Sequence, residues 1–166
     1  MIADELRAAM RRWVTGVSVV TFNTEEGVHG ITISSFTSVS LDPPLILICI
    51  RHRAQAHDLL LRSERFCVNV LGLQQQPLAV HYAGHRAGNG SPGRIGVTIR
   101  GTPCLEAALT QMDCTLASTT SAGDHTIFLG RVEAVYMAGS EPPLLYADGA
   151  YATLGQERET LGRSAA

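Results

Sequence analysis

Charge is scarce in this chain. Only 17% of its 166 residues are charged, and the formal net charge is −2, with a pI near 6.3. So weak a field excludes a nucleic-acid backbone or an anionic membrane surface as the main partner. It leaves room for a local basic site that takes a small phosphate. Aromatic residues are also few, at 5%, with a single tryptophan. The four cysteines, Cys49, Cys67, Cys104 and Cys114, show no CxxC spacing. No metal site is therefore expected, and they read as reduced thiols of a cytoplasmic protein. No apolar run nears the roughly 20 residues that cross a bilayer. The first residues, MIADELRAAMRRW, carry acids and lack a continuous apolar segment, unlike a signal peptide.

Apolar residues are plentiful, at 45%, enough for a real core in a single domain. Residues 4–13 have a helical period, with Leu6, Ala9, Met10 and Trp13 on one face. Strand signals follow at 14–22 and 28–34, joined by the turn-forming NTEEG. LILICIR (45–51) is a strand without alternation, expected to be buried on both faces. Short helices are expected at 54–63 and 74–83, with Pro77 in a first turn. Strands are expected at 65–71, 97–101 and 125–137, with a last one around Asp148-Gly149. Strands and helices do not alternate regularly, which argues for a closed or nearly closed antiparallel barrel with helices outside.

Two glycine- and hydroxyl-rich stretches need weighing. GNGSPG (88–93) matches the dinucleotide pattern by letter only. It follows a helix, contains Pro92 and leads towards a strand, so it reads as a loop. TISSFTSVS (32–40) has Ser or Thr at six of nine positions, directly before Asp42-Pro43-Pro44 and the apolar strand. Such hydroxyls usually face water, but here Phe36 and Val39 draw the backbone towards the core. The segment is read as a barrel rim whose hydroxyls and N–H groups hold a phosphate or a heterocycle edge without charge. Arg51, Arg53 and His57 follow at a strand end and helix start, either as solvated surface or as cations for a phosphate. His125 stands between a turn and a strand, where both a structural and a site role are open.

In this order, WVTGVSVVTF, GITISSFTSVSLDPPLILICI, RFCVNVL, GDHTIFLGRV and PLLYADGAY resemble the short-chain flavin reductase family. These are NAD(P)H:flavin oxidoreductases, the small components of two-component flavin monooxygenases. The resemblance covers about residues 8–154, which implies one domain over 1–166 with a poorly ordered tail, 155–166. It implies an FMN-binding split β-barrel, mainly β, antiparallel and of Greek-key type with peripheral helices. It further implies a homodimer, FMN or FAD as flavin, NADH or NADPH as hydride donor, and a monooxygenase that receives reduced flavin by diffusion. By resemblance, Thr32, Ile33, Ser34 and Ser35 line the isoalloxazine and ribityl groups, and Ser38, Val39 and Ser40 continue that wall. Cys49, Ile50 and Arg51 approach the ribityl phosphate. Many members have a small residue at the position of Ile33, and Ser or Thr within the stretch equivalent to RHRAQAH (51–57). That departure moves the phosphate to Arg53 or His57. His125 matches the histidine on the nicotinamide side, with Tyr151 as a second candidate there. A non-catalytic flavin-binding module on the same barrel is the alternative function.

Overall fold

The structure, a computed structural model, describes residues 1–84 and 93–155. Residues 88–92 of the loop motif and the tail from 156 lie outside the described residues.

The fold depends on a short joint between two strands that do not pair. Strands β2 (Ser18–Thr24) and β3 (Gly27–Ile33) form a hairpin, as do β4 (Phe36–Leu41) and β5 (Pro44–Arg51). With β6 (Arg65–Val70), β9 (Thr110–Ala122) and β10 (His125–Met137) they make an antiparallel sheet in the order β3-β2-β6-β9-β10-β5-β4. β3 and β4 are therefore its two opposite edges. Laid flat, seven strands at 4.7–4.9 Å spacing would hold these edges roughly 29 Å apart. The chain crosses from Ile33 to Phe36 with only Ser34 and Ser35 between, a reach of about 11 Å. The sheet must curl until its edges nearly meet, which gives a barrel split along one seam.

The barrel interior holds Val20, Phe22, Ile33, Ile46, Ile48, Ile50, Phe66, Val68 and Phe128, with Ala56 and Leu60 of a helix across the barrel end. That helix, α2 (Gln55–Arg62), connects β5 to β6. A second apolar layer lies outside β2. Here Val17, Val19, Leu71, Leu105, Ala108 and Leu144 pack with Leu78, Ala79 and Tyr82 of α3 (Gln76–Ala83). β2 and β6 are thus the long strands covered on both faces, being buried without a break from Ser18 to Phe22 and from Phe66 to Asn69. This corrects the expectation for LILICIR. β5 alternates, with Ile46, Ile48 and Ile50 inside and Leu45, Leu47 and Cys49 half-exposed outside. Its outward residues are apolar because they wall a cleft.

Smaller elements complete the chain: α1 (Ile2–Met10), β1 (Thr15–Gly16), the hairpin β7 (Ile95–Val97) and β8 (Pro103–Leu105), and the hairpin β11 (Leu145–Ala147) and β12 (Ala150–Ala152). The strand expected at 97–101 starts earlier and turns at 98–101. Asp148-Gly149, expected inside a strand, forms the two-residue turn of the last hairpin, with both φ angles positive at 49° and 81°. That is the conformation Asp-Gly favours in tight hairpins. β7 and β8 cover a buried polar knot, in which Thr98 and Thr102 donate hydroxyl bonds of 2.6 and 2.8 Å to Asp113. No described helix is long and apolar enough to cross a membrane.

Gly130 leaves room where β10 passes over Phe66. A Cβ built there would lie 2.5 Å from the Phe66 ring. Overpacking of this kind costs about 1–3 kcal/mol. Gly130→Ala should lower the stability read by urea unfolding by that amount, and an unchanged midpoint would refute the close approach of β10 to the Phe66 ring.

Candidate functional site

The seam of the barrel is bordered by hollows. On the outside of the corner a cleft of about 710 Å³ runs between α1 and β5. Ser34, Ser35, Thr37, Leu47, Cys49 and Arg51 line one wall, and Met10, Arg11, Trp13, Thr15, Tyr146 and Asp148 the other. Ser34 and Tyr146 also border a hollow of about 240 Å³ that reaches Thr32, Ile33 and Tyr151. Ala83 links that hollow to a third, of about 330 Å³, between the edge of β3 and the start of α2, where Arg53 and Gln55 meet Gly30 and Tyr82. The three make one groove along the seam.

The hydroxyls at the corner have different tasks. Ser35 Oγ donates to the Cys49 carbonyl at 2.7 Å and accepts from the Cys49 N–H at 3.2 Å. A side chain thereby completes the ladder where β4 has not yet begun. Thr32 Oγ1 donates to the Ala79 carbonyl of α3 at 2.7 Å. Ser34 is exposed, and its hydroxyl makes no bond among the described residues. Across the cleft, Thr15 Oγ1 is buried without a partner among the described residues. A buried hydroxyl without a partner is costly, and a ligand group in the cleft is one way to satisfy it. Burial pushes the Cys49 thiol up, so the stretch of wall at Leu47 and Cys49 is neutral, while Arg51 on the same wall and Arg7 and Arg11 opposite carry charge. The neighbouring Tyr151 phenol is pushed up by burial and by Tyr146. A groove with a free hydroxyl donor at its corner, a neutral patch at Leu47 and Cys49, and arginines along it at Arg7, Arg11, Arg51 and Arg53 fits a flavin with its phosphate. The chain has no lysine, so all these cations are guanidinium groups, which suit planar recognition of phosphate.

Arg51 and His125 face each other across the β5–β10 ladder. His125 Nδ1 lies 2.7 Å from Asp124 Oδ1. The hydrogen bond to His125, with a smaller contribution from its charge, holds the Asp124 carboxyl below its usual range. An ionised carboxylate only accepts, so Nδ1 carries the proton and Nε2 is the nitrogen left for other partners.

Other expected residues lie elsewhere. Ile50 points into the core at 2% exposure, because strand alternation turns it away from its neighbours Cys49 and Arg51. His57 is also buried, with Nδ1 at 2.7 Å from Asp58 and Nε2 at 2.8 Å from Thr126. Both its nitrogens are engaged within the protein, so of Arg51, Arg53 and His57 only the two arginines border the groove. Ser38, Val39 and Ser40 run along β4 away from the corner and border none of the three hollows. Ser40 Oγ accepts the Asp42 N–H and so shapes the turn. Trp13, Arg11, Thr15, Tyr146 and Asp148 are not expected at the site from sequence. Their only sequence signal is a lone tryptophan beside arginines, since α1 and the last hairpin meet only in the fold, where the Asp148 N–H bonds the Arg11 carbonyl at 2.9 Å.

Two measurements check this division of labour. Ser35→Ala should cost about 1–3 kcal/mol of stability, because two Cys49 backbone groups lose their partner, whereas Ser34→Ala should stay within about 0.5 kcal/mol, as exposed positions do. In an NMR titration, the Asp124 carboxyl should move back up towards the ordinary range in His125→Ala. No movement would mean that the pair does not exist in solution.

A family model for the flavin reductase like domain matches residues 10–155. An NADH-dependent flavin reductase of Rhodococcus sp is 38% identical over 162 residues, 95% of this chain and 88% of that protein. The solved styrene monooxygenase flavin reductase of Pseudomonas putida S12 superimposes with a TM-score of 0.86 at 32% identity, covering 93% of this chain and 99% of that one. The flavin reductase component of a bacterial two-component tryptophan halogenase gives 0.85 at 37% identity, covering 93% and 99%. With the corner, the groove along the seam and the histidine at the hairpin end in place, and with the match spanning residues 10–155, this chain belongs to the flavin reductase like family.

Proposed function

We propose that the protein is a flavin reductase that uses NADH to reduce FMN or FAD and hands the reduced flavin to a partner monooxygenase. The observation that carries this reading is the groove along the seam, lined at the corner by Ser34, Ser35, Leu47 and Cys49 and carrying Arg51 and Arg53. Flavin seated there supplies the redox chemistry, hydride acceptance from a nicotinamide, while the protein binds and orients.

The residues divide that work between them. Arg53 and the first N–H groups of α2 hold the flavin phosphate. Ser34 offers the one uncommitted hydroxyl of the corner, and Thr32 and Ser35 keep the backbone around it rigid. Cys49 and Leu47 give the ring system a neutral, apolar wall. His125 stands on the nicotinamide side, its ring turned and its tautomer set by Asp124. Tyr151 closes the middle hollow. No ionisable group of the chain need change charge, which suits a step in which proximity and orientation dominate.

A second copy of the chain completes the assembly. Leu6, Met10 and Trp13 are 61%, 53% and 66% exposed, and beside the cleft Leu45, Leu47, Ile127 and Leu129 stay half-exposed on the outer face of β5 and β10. An apolar surface of this extent marks an interface, so we place a homodimer there. All four cysteines are free, which fits the reducing cytoplasm.

NADH oxidation that depends on added FMN or FAD is the expected assay result. A protein that holds flavin but leaves NADH untouched would instead be a flavin carrier. Arg53→Gln should weaken flavin binding about tenfold, the loss of one charge-assisted bond, as read by fluorescence titration. His125→Ala should raise the KM for NADH and leave flavin affinity close to that of the parent.

A further inference from the structure

We infer that the buried His57–Thr126 pair is a positioning device that sets His125 from the flavin-phosphate side of the groove. This rests on the placement of His125 beside the nicotinamide.

α2 has one polar side-chain bond to the sheet among the described residues, from His57 Nε2 to Thr126 Oγ1 at 2.8 Å. Thr126 is 6% exposed and is the residue next to His125 on β10. The turn before α2 is tied to the same place, since the His52 N–H donates to the Asp124 carbonyl at 3.0 Å. Residues 124–126 are therefore gripped on both sides of His125, from one short stretch of chain. That stretch, 52–57, also contains Arg53 and the start of α2, which border the groove where the phosphate is placed.

The ring of His57 has little freedom to relax. Its centroid lies 5.0 Å from that of His52 and 5.9 Å from that of Phe128, both edge-on. The Asp58 carboxylate accepts a hydrogen bond from Nδ1–H at 2.7 Å, so in the neutral ring Nε2 accepts one from the Thr126 hydroxyl. Asp58 is exposed while His57 is buried, so the carboxylate steers the ring from the solvent side. Flavin phosphate that orders Arg53 and the first turn of α2 would fix His57, and through Thr126 the start of β10. Thr126 touches neither ligand, so its effect passes through His125.

Steady-state kinetics on Thr126→Val, a near-isosteric change that deletes the hydroxyl, test the inference. kcat/KM for NADH should fall about tenfold while the flavin Kd stays within about twofold, the pattern of a misplaced group rather than a lost seat. Thr126→Ser should restore most of the activity. The decisive comparison is a double-mutant cycle with His125→Ala, in which Thr126→Val should add little once the imidazole is gone. If His125→Ala impairs NADH use and Thr126→Val lowers it by the same factor in both backgrounds, positioning is overturned and the assignment of His125 survives. A loss of flavin affinity in step with NADH use and melting temperature, unrestored by serine, also overturns it and makes the pair a structural joint. If His125→Ala leaves NADH use intact, the assignment of His125 fails and positioning falls with it.

Discussion

The two hydrogen bonds between Ser35 and the Cys49 backbone hold the corner on which the rest of the molecule depends. A two-residue link between opposite edges of a seven-stranded sheet forces that sheet to close. Closure leaves β3 and β4 without each other as partners, and an unpaired edge is a liability unless it is covered. The protein covers it unevenly. α2 lies across the barrel end and α3 packs outside β2 and β3, while the groove between them stays open. The same short link therefore creates both the barrel and the place where a ligand can lie.

Polarity in the groove follows from this geometry. The Cys49 backbone at the corner is satisfied by the Ser35 hydroxyl because no strand is available to satisfy it. A hydroxyl does this without adding charge, so the wall beside it, at Leu47 and Cys49, is neutral. Such a wall suits an aromatic heterocycle whose charge changes during reaction, since fixed donors serve either state. Positive charge lies at the end of β5 and the start of α2, on Arg51 and Arg53, and across the cleft on Arg7 and Arg11. His125 sits opposite Arg51 because the β9–β10 hairpin turns in two residues at Gly123-Asp124, where Gly123 has φ +63°.

Much of this is legible in the residues. The strand at 125–137, the helices near 54–63 and 74–83, and the hydroxyl segment as the start of the site all follow from local pattern. LILICIR reads as doubly buried because an apolar run looks alike whether its outer face meets a second layer or a cleft. His57 and Ile50 read as site residues for a related reason. Being adjacent in sequence to a site residue says nothing about direction, and direction is set by strand alternation for Ile50 and by helix phase for His57. Trp13, Thr15 and Tyr146 escape a reading of the sequence because their shared cleft joins segments more than 100 positions apart.

The sequence by itself determined the class of fold and the chemical character of the site. Strand-forming runs, the Asp42-Pro43-Pro44 break and six hydroxyls in nine residues are local properties, and local properties survive without the rest of the chain. Only the tertiary structure decided which of those hydroxyls is free. Thr32 and Ser35 are bound to Ala79 and Cys49, 47 and 14 positions away, while the hydroxyl of Ser34 between them makes no bond among the described residues. Hydrogen-bond satisfaction is a property of the closed barrel, so no reading of TISSFTSVS alone could have told these three side chains apart.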